Sequence, residues 1–173
     1  MARADLTLYL LCGLAFAGKS TLAARIAERT GAAIVSLDAI NAERGLEGGL
    51  GIPVQEWVAT HQEALRRLEA FLGERRSAIV DDTCCFRRLR DSYRGLASRH
   101  GIASLVIHLD VPLDEAVRRL RANEASPLRP PVTEAILRDL ARDFEWPDAG
   151  EPTLVYRPPE PYDAWIDRAL AAR

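Results

Sequence analysis

Apolar positions along this chain fall into two kinds of run, and the two kinds alternate. Leu6 to Cys12 is short and almost unbroken, the mark of a strand covered on both faces, and it stops at Gly13. From Ser20 to Arg29 the apolar residues Leu22, Ile26 and Ala27 recur among charges at helical spacing, and Thr30-Gly31 supplies the stop. Ala32 to Leu37 predicts a second strand closing on Asp38, Gly45 to Pro53 with its four glycines a loop, and Val54 to Leu72 a long helix. The cycle then repeats. Ser77 to Asp82 reads as a third strand ending in two acids, and Arg87 to His100 as a basic helix turning Leu89, Tyr93, Leu96 and Ala97 inward. Ser104 to Leu109 is a fourth strand, Leu113 to Asn123 a helix, Ser126 to Pro131 a proline-rich break and Val132 to Phe144 another helix. Thr153 to Tyr156 is a fifth strand and Tyr162 to Ala172 a closing helix.

Such alternation predicts an α/β fold, a parallel sheet with helices on both faces, and ligands of such sheets bind at the carboxyl ends of the strands. Gly13, Asp38, Asp81 and Asp110 all follow predicted strands.

Composition narrows the function classes. The 173 residues suit one domain spanning 1–173, and no apolar run approaches the ~20 residues of a membrane span, so no membrane partner is expected. A net charge of −2 argues against a polybasic nucleic-acid binder while leaving room for a local basic groove. Three cysteines, Cys84 and Cys85 adjacent, suit a reducing cytoplasm better than a disulfide framework, and no Cys or His pair has zinc-ligand spacing. Leu6 to Ala17, with Ala15-Phe16-Ala17, imitates a secretory leader with its cleavage site. Asp5 spoils the basic segment such a leader needs, and cleavage after Ala17 would cut the best motif in the chain.

That motif is Gly13-Leu14-Ala15-Phe16-Ala17-Gly18-Lys19-Ser20, which fits G-x-x-x-x-G-K-[ST] and sits between a predicted strand and a predicted helix. Glycines let the backbone wrap a phosphate, the helix N-terminus offers free N–H donors, Lys19 reaches the β- and γ-phosphates, and Ser20 can ligate Mg²⁺. Lys19 is also the only lysine, beside 22 arginines, which suggests a position that wants a compact point charge on a slim stem. The dinucleotide fingerprint G-x-G-x-x-G is absent. ATP with Mg²⁺ is therefore the expected cofactor pair.

Two acids divide the remaining work. Asp81, after a mostly apolar strand, stands where a second nucleotide-binding motif holds Mg²⁺, with Asp82 the competing candidate. Asp38, on the acceptor side of the sheet, can take the proton of a hydroxyl as phosphoryl transfer proceeds, or else cap the short segment Ala39 to Arg44. Arg118, Arg119 and Arg121, followed by Asn123 and Arg129 around the proline-rich break, form a basic lid or a solvated helix face. Arg87, Arg88 and Arg90 either meet an anionic acceptor or cover their helix. Trp57 and His61, one turn apart, either line an acceptor pocket or pack in the core. Phe144 and Trp146 either cap the core or approach a base.

Taken together, Gly13 to Thr21, Asp38, Val80-Asp81-Asp82-Thr83, the arginines after Phe86, Leu109-Asp110-Val111-Pro112 and Arg119 resemble the polynucleotide-kinase-like P-loop kinases over residues 6–147. Within that group, Phe86-Arg87-Arg88-Leu89-Arg90 and Phe144-Glu145-Trp146-Pro147 are similar to the seryl-tRNA kinases of selenocysteine synthesis and to elongator-associated factors. The resemblance implies strand order 2-3-1-4-5 and an Arg-bearing lid. It implies Asp38, Lys19 and Arg119 as catalytic residues and Gly13, Ala17, Gly18, Lys19, Ser20, Thr21, Arg121 and Arg129 as nucleotide contacts, with Ser20 and Asp81 on the metal. Asn123 stands where a second lid arginine is expected, so Arg121 or Arg129 takes that part. The long tRNA-binding C-terminal domain of the seryl-tRNA kinases has no counterpart in this sequence. The expected activity is therefore transfer of the γ-phosphate of ATP to a hydroxyl of a small molecule, a metabolite or an antibiotic. The alternatives are a nucleic-acid or tRNA-end kinase, and an ATP-binding switch or accessory factor with no transfer substrate.

Overall fold

The computed structural model describes residues 6–46, 51–125 and 132–170. Its five strands, β1 (Thr7–Cys12), β2 (Ala33–Ser36), β3 (Ala78–Asp81), β4 (Ala103–Leu109) and β5 (Thr153–Tyr156), form one sheet in the order β2-β3-β1-β4-β5. Every pairing is parallel. The unbroken apolar run of β1 follows from its central place. Leu8, Leu10 and Cys12 face one buried layer while Tyr9 and Leu11 face the other, so side chains of both parities are buried.

Helix α1 (Lys19–Thr30) covers one face with Leu22, Ala23 and Ile26, joined there by Trp165 and Ile166 of the last helix, α7 (Tyr162–Leu170). The other face lies under α2 (Leu37–Glu43), α3 (Val54–Gly73), α4 (Arg87–Arg99), α5 (Leu113–Ala125) and α6 (Glu134–Asp143), which contribute Ile40, Leu68, Tyr93, Leu120 and Leu137 among others. Each fully buried Leu or Ile contributes roughly 1.5–3 kcal/mol, so the two layers supply the main cohesion of the sheet.

The second strand is shorter than its pattern predicts and corrects the setting of Asp38. β2 ends at Ser36, whose hydroxyl accepts from the Ala39 N–H at 3.3 Å and caps α2. A Ser cap is worth about 1 kcal/mol, and Leu37 and Ile40 bury one side of the helix it starts. Asp38 therefore lies in the first turn of α2, neither closing a strand nor acting as the cap. At the other end of the chain, Thr133 caps α6 by accepting from Ile136. Arg129, expected as a lid contact, the proline-rich break Ser126 to Pro131, and Gly48 and Gly49 lie outside the described residues.

Candidate functional site

The segment between β1 and α1 doubles back on itself. Phe16 and Gly18 take left-handed backbone angles, φ 64° and 96°, and Gly18 precedes α1 with no side-chain cap and no acid in the first turn. The first N–H groups of α1 are thus left for an anion. Lys19 is buried and folds over the loop, donating from Nζ to the carbonyl oxygens of Gly13 at 3.1 Å and Leu14 at 2.7 Å. Ser20 and Thr21, by contrast, are exposed at the helix start.

Register brings the acids to this loop. Ser36 of β2 pairs with Asp81 of β3, so Asp38 leaves the sheet beside Asp81. Burial raises the pKa of Asp81, with the Ser20 hydroxyl and Lys19 opposing and the charges of Asp38 and Asp82 reinforcing. Asp82 is raised by burial as well, against bonds from the Thr83 and Cys84 backbone. Three carboxylates and one ammonium therefore share a single field. The Gly13 N–H donates to the Thr83 carbonyl at 3.1 Å, which ties the phosphate loop to the end of β3.

Mg²⁺ prefers oxygen ligands and is commonly held by one or two protein groups together with waters and substrate phosphates. Ser20 at the start of α1 and Asp81 at the end of β3, whose charge responds to the Ser20 hydroxyl, fit that demand. Asp82 stands next along the chain.

Arg119 of α5 reaches the same loop. Its Nη1 donates to the carbonyl oxygens of Phe16 and Ala17 at 3.2 and 3.3 Å, while Nε bonds Glu115 at 2.7 Å, which fixes the guanidinium. Arg118 and Arg119 together hold the Glu115 carboxyl down to about 2. Arg121 points elsewhere. It pairs with Glu134 of α6 at 2.9 Å and lines a concavity between α5 and α6 with Arg118 and Arg138.

Tyr162, at the start of α7, is a neighbour that the sequence reading missed. Its hydroxyl donates to the Gly18 carbonyl at 3.5 Å and lies where a Cβ at Gly18 would stand, so glycine there is required by crowding as well as by φ. A tyrosine just after the last predicted strand, at the carboxyl edge of the sheet, is the signal that could have found it. Phe144 is buried in the core, and Trp146 stacks on it at 4.1 Å and against His108 at 5.1 Å, so this pair covers the core layer. The buried ion pair of Arg90 with Glu151 was also missed.

On the layer that α2 and α4 share, α3 is stitched to both neighbours. Thr60 donates to Asn41 of α2 at 2.5 Å, and the next residue, His61, bonds Tyr93 Oη at 2.9 Å and Ser92 Oγ at 3.0 Å on α4. Trp57, one turn before His61, is half-buried on the same face.

Comparison with known proteins agrees with this geometry. A protein of Mycobacterium tuberculosis strain ATCC 25618 / H37Rv, Rv2004c, which carries the description "uncharacterized protein", is 31% identical over 163 residues, 87% of this chain and 32% of its own. The chain thus spans about a third of the length of the curated relatives it matches. Among solved structures, a gluconokinase from Sinorhizobium meliloti 1021 superposes with a TM-score of 0.68 at 18% identity, over 98% of this chain and 92% of that one. Kti12 of Chaetomium thermophilum, solved with ADP-AlF3, gives 0.72 at 16% identity, over 95% and 98%. Those likenesses show the P-loop kinase fold. The profile of the AAA domain family AAA_33 matches residues 8–147, and the chain belongs to that family.

Proposed function

We propose that this chain is a cytoplasmic Mg-ATP-dependent kinase that transfers the γ-phosphate to a hydroxyl of a small molecule. The observation that carries the reading is the convergence of Asp38, Asp81 and Asp82 from two adjacent strand ends on Lys19 and Ser20. A loop that only bound nucleotide has no need of Asp38. A kinase needs a carboxylate beside the acceptor to orient and deprotonate it.

In this reading the α1 N–H groups and Lys19 hold the β- and γ-phosphates, with Lys19 exchanging its loop carbonyls for phosphate oxygens. Gly13, Ala17, Gly18 and Thr21 border the phosphates, and Arg119, already on the loop, neutralises charge developing during transfer. Ser20 and Asp81 would hold Mg²⁺, which would offset the negative charge of the phosphates during transfer. The acceptor oxygen bonds to the γ-phosphorus as the bond from that phosphorus to the β–γ bridging oxygen breaks. ADP leaves with the bond electrons, and the hydroxyl proton passes to the Asp38 carboxylate. Arg121 and Arg129 are kept as lid contacts in this proposal, Arg121 by leaving Glu134 when nucleotide binds. The free, buried cysteines suit a reducing compartment.

Two substitutions test it. Lys19→Ala should weaken ATP binding tenfold or more, on the order of 1.4 kcal/mol for one charge-assisted contact, measured by calorimetry. Asp38→Asn should leave ATP affinity in place while transfer falls by roughly 10²–10⁴, the usual range for a general base. Undiminished transfer in Asp38→Asn would refute the mechanism. Wild-type ATP hydrolysis in that variant, with no acceptor used, would favour the switch reading.

A further inference from the structure

Arginine is nearly the only cation this chain uses, and the chain's own oxygens engage almost all of it. Among the described residues, every arginine but one has a carboxylate or carbonyl partner. The exception is Arg88, in the first turn of α4. It is exposed, and its guanidinium lies over the Phe86 ring, 5.2 Å from the centroid. An aromatic platform under one face restricts a guanidinium and leaves its N–H edge available, without cancelling its charge.

The surroundings place this cation beside the acceptor side of the site. Arg88 follows the β3 acids through the short segment Thr83 to Phe86 and stands one turn before Ser92 on α4, the residue that His61 of α3 bonds at 3.0 Å. His61 has both ring nitrogens engaged, by Tyr93 and Ser92, so it forms a wall and is not free to serve as a base. Trp57 continues that wall one turn earlier, and Thr60 ties the same stretch of α3 to α2, the helix that carries Asp38. Asp38 and Arg88 thus flank one stretch of α3, an acid on one side and a single unengaged cation on the other.

We propose that the acceptor is an anion, carrying a carboxylate or phosphate group for Arg88 in addition to the hydroxyl that Asp38 deprotonates. This rests on the kinase reading above and adds the class of acceptor. Three carboxylates at the transfer end repel an anionic group, whereas Arg88 attracts it, so the two ends of such an acceptor are distinguished and its hydroxyl is turned toward Asp38. A neutral polyol gains no such orientation.

Matched sets of acceptors test the inference: glycerol, glycerate and glycerol phosphate; ribose, ribonate and ribose 5-phosphate; glucose, gluconate and glucose 6-phosphate. ADP release is followed with Mg-ATP and the full chain. At least one charged member should exceed its neutral parent about tenfold or more in kcat/KM, the scale of one charge-assisted contact. Whether carboxylate or phosphate members show the gain identifies the anion. Arg88→Gln should collapse that preference to within about threefold by raising KM for the charged member, and Arg88→Lys should retain part of it. Neutral parents used as well as charged members would overturn the inference, as would a preference that survives Arg88→Gln. So would a chain that binds ATP yet phosphorylates no member of any set. A chain that binds no ATP would overturn the kinase reading itself.

Discussion

The Cys12 thiol lies wholly buried with its sulfur 3.7 Å from the Cys84 carbonyl oxygen, and burial pushes its pKa up to about 12. Burial raises Cys84 and Cys85 too. At pH 8 a thiol with such a pKa is ionised to about one part in 10⁴, against roughly a quarter for an ordinary cysteine, and only the thiolate is nucleophilic. All three native thiols should therefore react with Ellman's reagent far more slowly than a free thiol, and all should react at once in denaturant. A rapid burst of one thiol in the folded chain would contradict this. Lys19 follows the same logic of surroundings in the other direction. Its Nζ sits between two loop carbonyls at 2.7 and 3.1 Å, a place for a slender stem and a point charge, which is why the one lysine of an arginine-rich chain stands there.

At the scale of elements, the end of β3 is held by a clamp that spans 61 residues. Arg90 of α4 makes a two-pronged pair with Glu151, before β5, at 2.7 and 2.8 Å, and its remaining Nη1 donates to the Cys84 carbonyl at 2.8 Å. Both side chains are essentially inaccessible, at 1% and 0% exposure. Removing Arg90 leaves the buried Glu151 carboxylate only the longer ion pairs with Arg87 and Arg94, at 3.8 and 3.9 Å, so Arg90→Met should destabilise the chain by up to about 3–5 kcal/mol, whereas Arg90→Met with Glu151→Leu should recover much of the loss. Urea unfolding of both variants measures it, and equal loss in the two would show that the buried charge is not the cause. Nothing in the sequence announces this pair, because neither residue follows a local period and their meeting depends on how α4 and β5 pack. Local pattern sufficed for the strands, whose two-sided burial writes itself as apolar runs, and for the phosphate loop, whose chemistry is confined to adjacent residues. It failed at Asp38, where a serine cap two residues earlier turned strand into helix, and at Tyr162, which reaches Gly18 across 144 residues.

Across the molecule, acid should loosen the layer that carries the proposed acceptor wall. His61 joins α3 to α4, and His108 sits on β4 against Trp146; burial lowers the pKa of both, with Arg88 reinforcing at His61 and Asp110 opposing at His108. Each folded pKa lies below the unfolded value of about 6.5, so between the two the unfolded chain binds more protons and stability rises with pH. Their contribution is complete above about 6.5 and is lost as pH falls toward the folded values, at no more than about 1.4 kcal/mol per pH unit for each ring. Asp81 and Asp82 act in the opposite sense. Their folded pKa values are raised, so the penalty of their buried charge is relieved as pH falls through those values, and the histidine slope is read most cleanly near its upper end. Urea midpoints at pH 8.5, 7.5 and 6.0 should stay level over the first step and fall over the second. His61→Gln with His108→Gln should remove most of that fall. A double variant with the wild-type slope would place the sensitivity elsewhere and leave the α3–α4 wall independent of pH.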